Sequence, residues 1–261
     1  PILTHEHGYR VIGGKPFILN ARDYGVPQNR RRAFILAVRS DIDTSGFVWP
    51  PEPTHTKTGK QEWVTSSCVF ERPPESTLIE FRERLVEKFN MSIELAENRL
   101  KQLQWGSPIP KEDPCNVHME HSAEMQLLFK NTPLLGDRTE SGRQLACHKN
   151  YSGHLDVYGR IYPHLPSNTI TTGCNNPSKG RFVHPWLHHG ITLRHAARLQ
   201  TFPDDYIFHG GTMAIAKQIG NAVPVKLGEA LLKSIINLLS IQKIEVDSAK
   251  CGYIDYDKEC I

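Results

Sequence analysis

The segment "YGVPQNRRRAF" at residues 24–34 places a glutamine and three consecutive arginines immediately before an apolar run. Guanidinium groups two residues apart near the start of a strand project to the same side. Their forked donors can hold phosphate oxygens or the oxygen of a nucleobase. Gln28, Arg30 and Arg32 are therefore candidates for a substrate-binding site, and a solvated arginine cluster that caps a strand is the alternative.

Charge is distributed unevenly, although the net charge is only +3. Residues 24–40 and residues 157–203 contain no acidic side chain. Their cations are Arg30, Arg31, Arg32, Arg39, Arg160, Lys179, Arg181, Arg194 and Arg198. Exclusion of acids from both stretches favours a phosphate-facing surface over an ordinary solvated basic face.

Several classes of protein are disfavoured. The six cysteines include no C-x-x-C pair, so we expect neither a disulfide framework nor a zinc site. We expect no other metal ion to be bound. No run approaches the about 18 apolar residues of a membrane span, and residues 1–10 lack the pattern of a signal peptide. We expect an intracellular protein without a membrane partner.

The elements that must position the arginines resemble an interrupted α/β core. The segments "YRVI", "FIL" and "AFILAV" within residues 9–38 predict strands, the last as a buried strand of a parallel-type sheet. Residues 77–105 predict two amphipathic helices, with Ser92 as the N-cap of the second. Residues 106–190 are rich in loop signals, with "SNTITT" as a short strand candidate. Helical spacing returns in "LRHAARLQ" and from Val223 to Leu238.

The loop "TITTGCNNPSKGRF" offers hydroxyls, amides and two cations between glycines and prolines. Such a loop can press its backbone against DNA and present polar side chains to base edges or phosphates. The candidates are Thr171, Thr172, Asn175, Asn176, Ser178, Lys179 and Arg181. Taken without its neighbours, the same loop is equally typical of a surface cluster of turns.

Three motifs in this order resemble the closing motifs of DNA cytosine-5 methyltransferases: "QNRRR", "ITLRHAARLQTFPDDYIF" with the loop before it, and "AIAKQIGNAVPVKLGEAL". The resemblance covers both ends of the chain and implies a Rossmann-like core dependent on S-adenosylmethionine, with an inserted, loop-rich target-recognition domain. The implied boundaries are 1–45 for a core fragment, 46–190 for target recognition, 191–243 for the closing core segment, and 244–261 for an acidic tail.

The resemblance also implies roles for individual residues. Gln28, Arg30 and Arg32 would belong to the catalytic pocket, with Arg32 contacting the cytosine and Arg30 organising the pocket. The loop from Thr171 to Arg181 would recognise double-stranded DNA whose target cytosine is flipped out of the helix. The cofactor candidates in the turn are Gly220, Asn221 and Ala222. His195 stands where the family usually has an acid, which we expect to weaken an internal ion pair.

Three further family motifs do not occur in this sequence: the Pro-Cys-Gln nucleophile, the Glu-Asn-Val acid and the Gly-rich donor turn. We therefore expect a C-terminal part, either a truncated fragment or one subunit of a split enzyme, inactive by itself. The missing N-terminal half or a complementary subunit would bind most of the cofactor. "DPCNV" around Cys115 differs from Pro-Cys-Gln by one methylene but lies in the variable region, so we expect an ordinary loop cysteine.

Two other functions remain open at this point. One is a non-catalytic, sequence-specific DNA-binding subunit of a split modification enzyme, and the other is an inactive paralogue. The resemblance implies a bacterial, cytoplasmic, nucleoid-associated protein, whether linked to restriction, to a prophage or to neither. The recognition sequence depends on which loop atoms reach which groove positions.

Overall fold

The computed structural model describes residues 8–59, 61–141 and 156–241. They divide into two compact units. The smaller unit contains described residues 8–16, 35–51 and 231–241, and the larger contains the rest. The acidic tail predicted for residues 244–261 lies outside the described residues. The other domain boundaries drawn from the family resemblance stay predictions.

Within the described residues, four short strands form two antiparallel pairs. In the smaller unit, β1 (Tyr9–Val11) pairs with β4 (Ala37–Arg39). In the larger unit, β2 (Phe17–Asn20) pairs with β3 (Arg31–Phe34), with Leu19 opposite Arg32. Antiparallel neighbours need only a short connection, and residues 21–30 are too few for the crossover that parallel strands require.

The prediction of one buried, parallel-type strand over "AFILAV" is therefore wrong. The run is divided between β3 and β4, which belong to different pairs, and both pairs are antiparallel. Of its six residues only Val38 is buried. An apolar run predicts burial only when both faces of its sheet are covered, and here Ile35 remains exposed.

The two helices predicted within residues 77–105 are confirmed as α1 (Glu75–Phe89) and α2 (Ile93–Lys101). Asn90 ends α1 in the left-handed conformation. The hydroxyl of Ser92 accepts a hydrogen bond from the Leu95 amide at 3.1 Å, so its predicted N-cap role is also confirmed. Between the two helices and the neighbouring loop, Phe81 and Leu85 form a small core with Leu135.

The described part of the chain contains four more α-helices: α3 (Ala123–Asn131), α4 (Leu193–Leu199), α5 (Thr212–Asn221) and α6 (Val225–Ile241). The sequence predicted α4 and α6, whereas α3 lies in a region that we expected to be irregular. "SNTITT" makes a single parallel bridge, Ser167 with Gln28, instead of a strand. Within the described ranges, no helix combines the length and apolarity needed to cross a membrane.

The main hydrophobic core surrounds α4. Leu193, Ala196 and Ala197 are buried there against Ile170 from the predicted recognition loop and Ile219 from α5. Residues distant in sequence are therefore packed on one short helix. This packing brings the predicted recognition loop, α4 and α5 together in the larger unit.

Candidate functional site

Gln28 joins three segments at the centre of this arrangement. Its side chain is fully buried. The amide nitrogen Nε2 donates to the carbonyl of Leu199 and to Oε1 of Gln200, each at 3.1 Å. Oε1 accepts from the amide of Ile170 at 2.8 Å. Gln28 therefore has no surface for a substrate, and it holds the start of the recognition loop against the end of α4.

Arg30 forms the second junction and is only 2% exposed. Its Nη1 donates to the carbonyl of Ile170 at 2.7 Å, and its Nη2 donates to the carbonyls of Gly220 at 2.8 Å and Ala222 at 3.1 Å. Burial, with a smaller contribution from the positive charge of Arg32, lowers the pKa of Arg30 to about 10, so the group stays charged at neutral pH. Its hydrogen bonds tie the recognition loop to the turn after α5.

The geometry corrects one expectation about the arginine motif. We expected Arg30 and Arg32 both to face a substrate, but the donors of Arg30 are directed to backbone carbonyls inside the protein. Arg31 and Arg32 are exposed on β3, and Arg32 donates to the carbonyl of Arg31 at 2.7 Å. Arg32 is the member of the Gln28, Arg30 and Arg32 set that a ligand can reach.

Gly220 is buried in the last turn of α5. A Cβ at this position would lie 2.4 Å from the carbonyl carbon of Thr171 and from the amide nitrogen of Thr172. The glycine therefore allows the helix to approach the recognition loop closely. The chain turns after Asn221, and α6 begins after Pro224.

The same end of α5 is the candidate contact for the methyl donor that the resemblance implies. Asn221 is exposed and Ala222 is half-buried. The exposed amide of Asn221 can form hydrogen bonds with a ligand, so this residue and its neighbour Ala222 stay candidates for that role. Gly220 faces Thr171 and Thr172, which makes it a support of this surface.

The predicted recognition loop separates into accessible and buried members. Thr171, Thr172 and Lys179 are exposed, and Ser178 is half-buried. Lys179 ends a short 3-10 helix, Pro177–Lys179. These four side chains lie where a DNA strand could contact them.

The other three predicted contacts have roles inside the protein. The Asn176 side chain accepts from the Ser178 amide at 2.9 Å and caps the 3-10 helix. Asn175 is buried against the sulfur of Met213. Arg181 is 5% exposed and donates to a carboxylate oxygen of Asp156 at 3.1 Å. Because its guanidinium is enclosed and paired, Arg181 cannot reach a phosphate in this structure.

The phosphate-facing interpretation of residues 157–203 is wrong for most of its arginines. Arg160, Arg181 and Arg194 are buried. Arg160 donates to four backbone carbonyls at 2.6–2.9 Å: Phe129, Thr132, His184 and Leu187. Backbone carbonyls from folded loops supply the acceptors that acidic side chains would otherwise provide. Arg160 therefore needs no acidic partner, whereas Arg181 and Arg194 pair with acids that lie outside this stretch, Asp156 and Asp113.

Asp113 is a partner that the sequence did not indicate. It accepts from Arg194 at 2.6 Å, and both side chains are largely buried. His195 is not a member of this pair: its Nδ1 accepts from the Thr192 amide at 3.2 Å and completes a capping box at the start of α4. Burial lowers the pKa of His195 to about 3, so the imidazole is neutral at physiological pH.

Cys115 follows Asp113 in the "DPCNV" segment and is buried. Burial raises the pKa of its thiol. A nucleophilic cysteine needs an accessible thiolate, so this environment suits a packed loop cysteine. The part of the chain that the structure describes also contains no group of three or more side chains arranged to hold a metal ion.

Comparison with known families decides the affiliation. A model of the family described as C-5 cytosine-specific DNA methylase matches residues 4–237. The chain belongs to this family. As a C-5 cytosine-specific DNA methylase family member, it resembles enzymes from several bacteria.

Two similar relatives are type II methyltransferases. M.BbvI of Brevibacillus brevis is 29% identical over 235 residues, which cover 88% of this chain and 50% of that protein. M.Eco47II of Escherichia coli is 29% identical over 238 residues, which cover 89% of this chain and 47% of that protein. The chain thus spans about half the length of these curated relatives.

A solved structure shows the same fold. It is of a protein assigned as a DNA modification methyltransferase and encoded within an E. coli prophage. The two share 21% identity with a TM-score of 0.52, over 92% of this chain and 63% of that one. This similarity is consistent with the α/β fold of a DNA methyltransferase.

Proposed function

We propose that this chain supplies target recognition and part of the catalytic and methyl-donor pockets of a DNA cytosine-5 methyltransferase. Family membership supports the reaction class. The observation that carries the assignment is the convergence of three motifs on Arg30, which binds Ile170 of the recognition loop and Gly220 and Ala222 of the closing turn.

In this proposal the exposed arginine motif acts on the target base. Cytosine must leave the stack before its ring can react, so a protein group has to receive it outside the duplex. Arg32 is accessible on β3, and its forked donors suit the oxygen of a cytosine ring. Arg30 and Gln28 act as supports, because their donors are directed to the protein interior.

DNA contacts are assigned to the accessible part of the recognition loop. Lys179 would pair with a phosphate, while Thr171 and Thr172 offer hydroxyls to a phosphate or a base edge. Ser178 can join them, since it is only half-buried. Asn175, Asn176 and Arg181 are left out of the proposed contacts because their side chains serve the loop itself.

S-adenosylmethionine would supply an electrophilic methyl group when bound. Asn221 and Ala222 would line one edge of its site at the end of α5. The Arg30 bonds to the carbonyls of Gly220 and Ala222 hold this edge in place. The remaining contacts, and the attacking thiolate, belong to motifs outside this sequence, so we propose that the chain works as the C-terminal part of the enzyme or beside a complementary subunit.

The test is transfer of a labelled methyl group from S-adenosylmethionine to duplex DNA. It is run with this chain alone and after addition of a protein that carries the Pro-Cys-Gln, Glu-Asn-Val and donor motifs. We expect 5-methylcytosine at a defined sequence in the combined reaction. Transfer to adenine, or no transfer with any such protein, would contradict the proposal. Specific DNA retention without transfer would favour a binding subunit.

A further inference from the structure

We propose that Gln200 is a positioning residue, which sets the distance between the recognition loop and the donor-facing turn. This inference rests on the proposed function. Gln200 is fully buried at the end of α4. Its Nε2 donates to the carbonyl of Ile219 at 2.7 Å, and its Oε1 accepts from Nε2 of Gln28 at 3.1 Å.

Gln200 completes a continuous chain of hydrogen bonds. The amide of Ile170 donates to Gln28, Gln28 donates to Gln200, and Gln200 donates to the carbonyl of Ile219. Every link has one direction, because a backbone amide can only donate and a backbone carbonyl can only accept. Reversing either side-chain amide would leave buried polar groups without partners, so the chain has one stable arrangement.

Both ends of this chain lie next to proposed substrate contacts. Ile170 precedes Thr171 and Thr172, and Ile219 lies two residues before Asn221. The backbone carbonyl of Gln200 also accepts from the Val225 amide at 3.1 Å, which fixes the start of α6. Gln200 is buried and would contact neither DNA nor the methyl donor. Its side-chain amide instead sets the distance between the residues proposed to contact DNA and those proposed to contact the methyl donor. Displacements of about 1 Å in reacting groups can cost about 100-fold in rate.

Two substitutions test this role in the complete enzyme. Gln200→Met keeps the length of the side chain but removes both hydrogen bonds. Gln200→Glu has the same shape, and its neutral acid can donate to the Ile219 carbonyl while accepting from Gln28. Burial raises the pKa of a carboxyl group, so the introduced carboxyl should stay neutral to a higher pH than an exposed glutamate does. As the pH rises further, the carboxyl becomes charged and can no longer donate to the Ile219 carbonyl.

We expect kcat of Gln200→Met to fall about 10-fold to 100-fold at every pH, with KM for DNA changed less. The ratio of Gln200→Glu to native kcat should approach one at low pH and fall as the pH rises. Thr132→Val is the matched control, because it removes one buried hydrogen bond, to the Leu128 carbonyl, remote in sequence from the three motifs.

Two results would overturn the proposal. One is that Gln200→Met and Thr132→Val lower Tm equally and Gln200→Met lowers kcat no more than Thr132→Val does. The other is that the ratio of Gln200→Glu kcat to native kcat does not change with pH. If Gln200→Met does not fold, this pH profile alone tests the proposal. Absence of methyl transfer by the native enzyme would instead contradict the proposed function. In that event the rate of hydrogen exchange at the Ile170 amide is measured in this chain for both variants. Gln200→Met should accelerate the exchange more than Thr132→Val does.

Discussion

The guanidinium of Arg30 donates to the carbonyl of Gly220 at 2.8 Å, across 190 positions of sequence. The same group holds Ile170 of the recognition loop. A planar fork can satisfy carbonyls from two segments at once, whereas a single ammonium group is a point donor. Arg30 therefore joins the recognition loop to the turn after α5.

Replacing Arg30 by Lys should destabilise the larger unit. Loss of the fork would leave carbonyls of Ile170 or Ala222 without a donor, and we expect the free energy of unfolding to fall by about 2–3 kcal/mol. Denaturant unfolding measures it. Arg72→Lys is the control, since Arg72 forms an exposed ion pair with Glu75 and should leave stability unchanged. Equal effects of the two substitutions would contradict the role given to Arg30.

Arg32→Ala should abolish most methyl transfer in the complete enzyme while DNA retention changes little. The proposed contact is made to the reacting base, so we expect a loss of about 100-fold in kcat. Arg31→Ala is the matched control, because Arg31 is exposed on the same strand and its side chain lies on the opposite side. If Arg31→Ala lowers kcat as much as Arg32→Ala, the assignment of Arg32 is lost.

Gly220→Ala should disturb the recognition loop through a single methyl group. The added carbon would meet the Thr171 and Thr172 backbone at 2.4 Å, and such overpacking costs about 1–3 kcal/mol. We expect lower stability and weaker binding of specific DNA, measured by unfolding and by fluorescence anisotropy. Gly228→Ala in α6 meets no atom within 4 Å and should stabilise the protein slightly. A neutral Gly220→Ala would contradict the close approach.

Lys179→Ala should weaken DNA binding through loss of a phosphate contact. We expect the slope of log K against log salt concentration to decrease in magnitude by about 1, with similar effects on specific and random DNA. Lys101→Ala, at the exposed end of α2, should leave the slope unchanged. An unchanged slope in Lys179→Ala would place the DNA away from this loop.

Acid should destabilise the protein through His195. Its folded pKa of about 3 lies below the ordinary value of 6.5, so the unfolded chain binds more protons between these values. The stability of the native protein is therefore complete above pH 6.5 and decreases as the pH falls toward 3. His195→Gln keeps an acceptor for the Thr192 amide but does not titrate. We expect it to reduce the pH slope of the unfolding free energy by up to about 1.4 kcal/mol per pH unit.

Local patterns predicted the helices better than the strands. α1, α2, α4 and α6 follow from apolar spacing and from caps such as Ser92, which act within a few residues. Helix α3 was missed because a nine-residue helix flanked by loop signals has little periodicity of its own. The prediction of one buried, parallel-type strand over "AFILAV" was wrong because the direction of strand pairing depends on partner strands elsewhere in the sequence. No residue within the run specifies those partners.

The sequence alone determined the family resemblance and which motifs matter, since those depend on residue type and order. The resemblance also predicts different roles for Arg32 and Arg30, and these stay predictions, whereas the expectation that both side chains face a substrate is wrong for Arg30. Tertiary structure decided which cations are accessible: Arg30, Arg160 and Arg181 are enclosed by backbone carbonyls from remote loops. It also revealed Gln200 and Asp113, whose partners are 19 to 172 residues away in sequence. Composition gives the number of charged residues. Their burial and hydrogen bonds depend on packing between segments that are distant in sequence, and no local pattern shows which segments pack together.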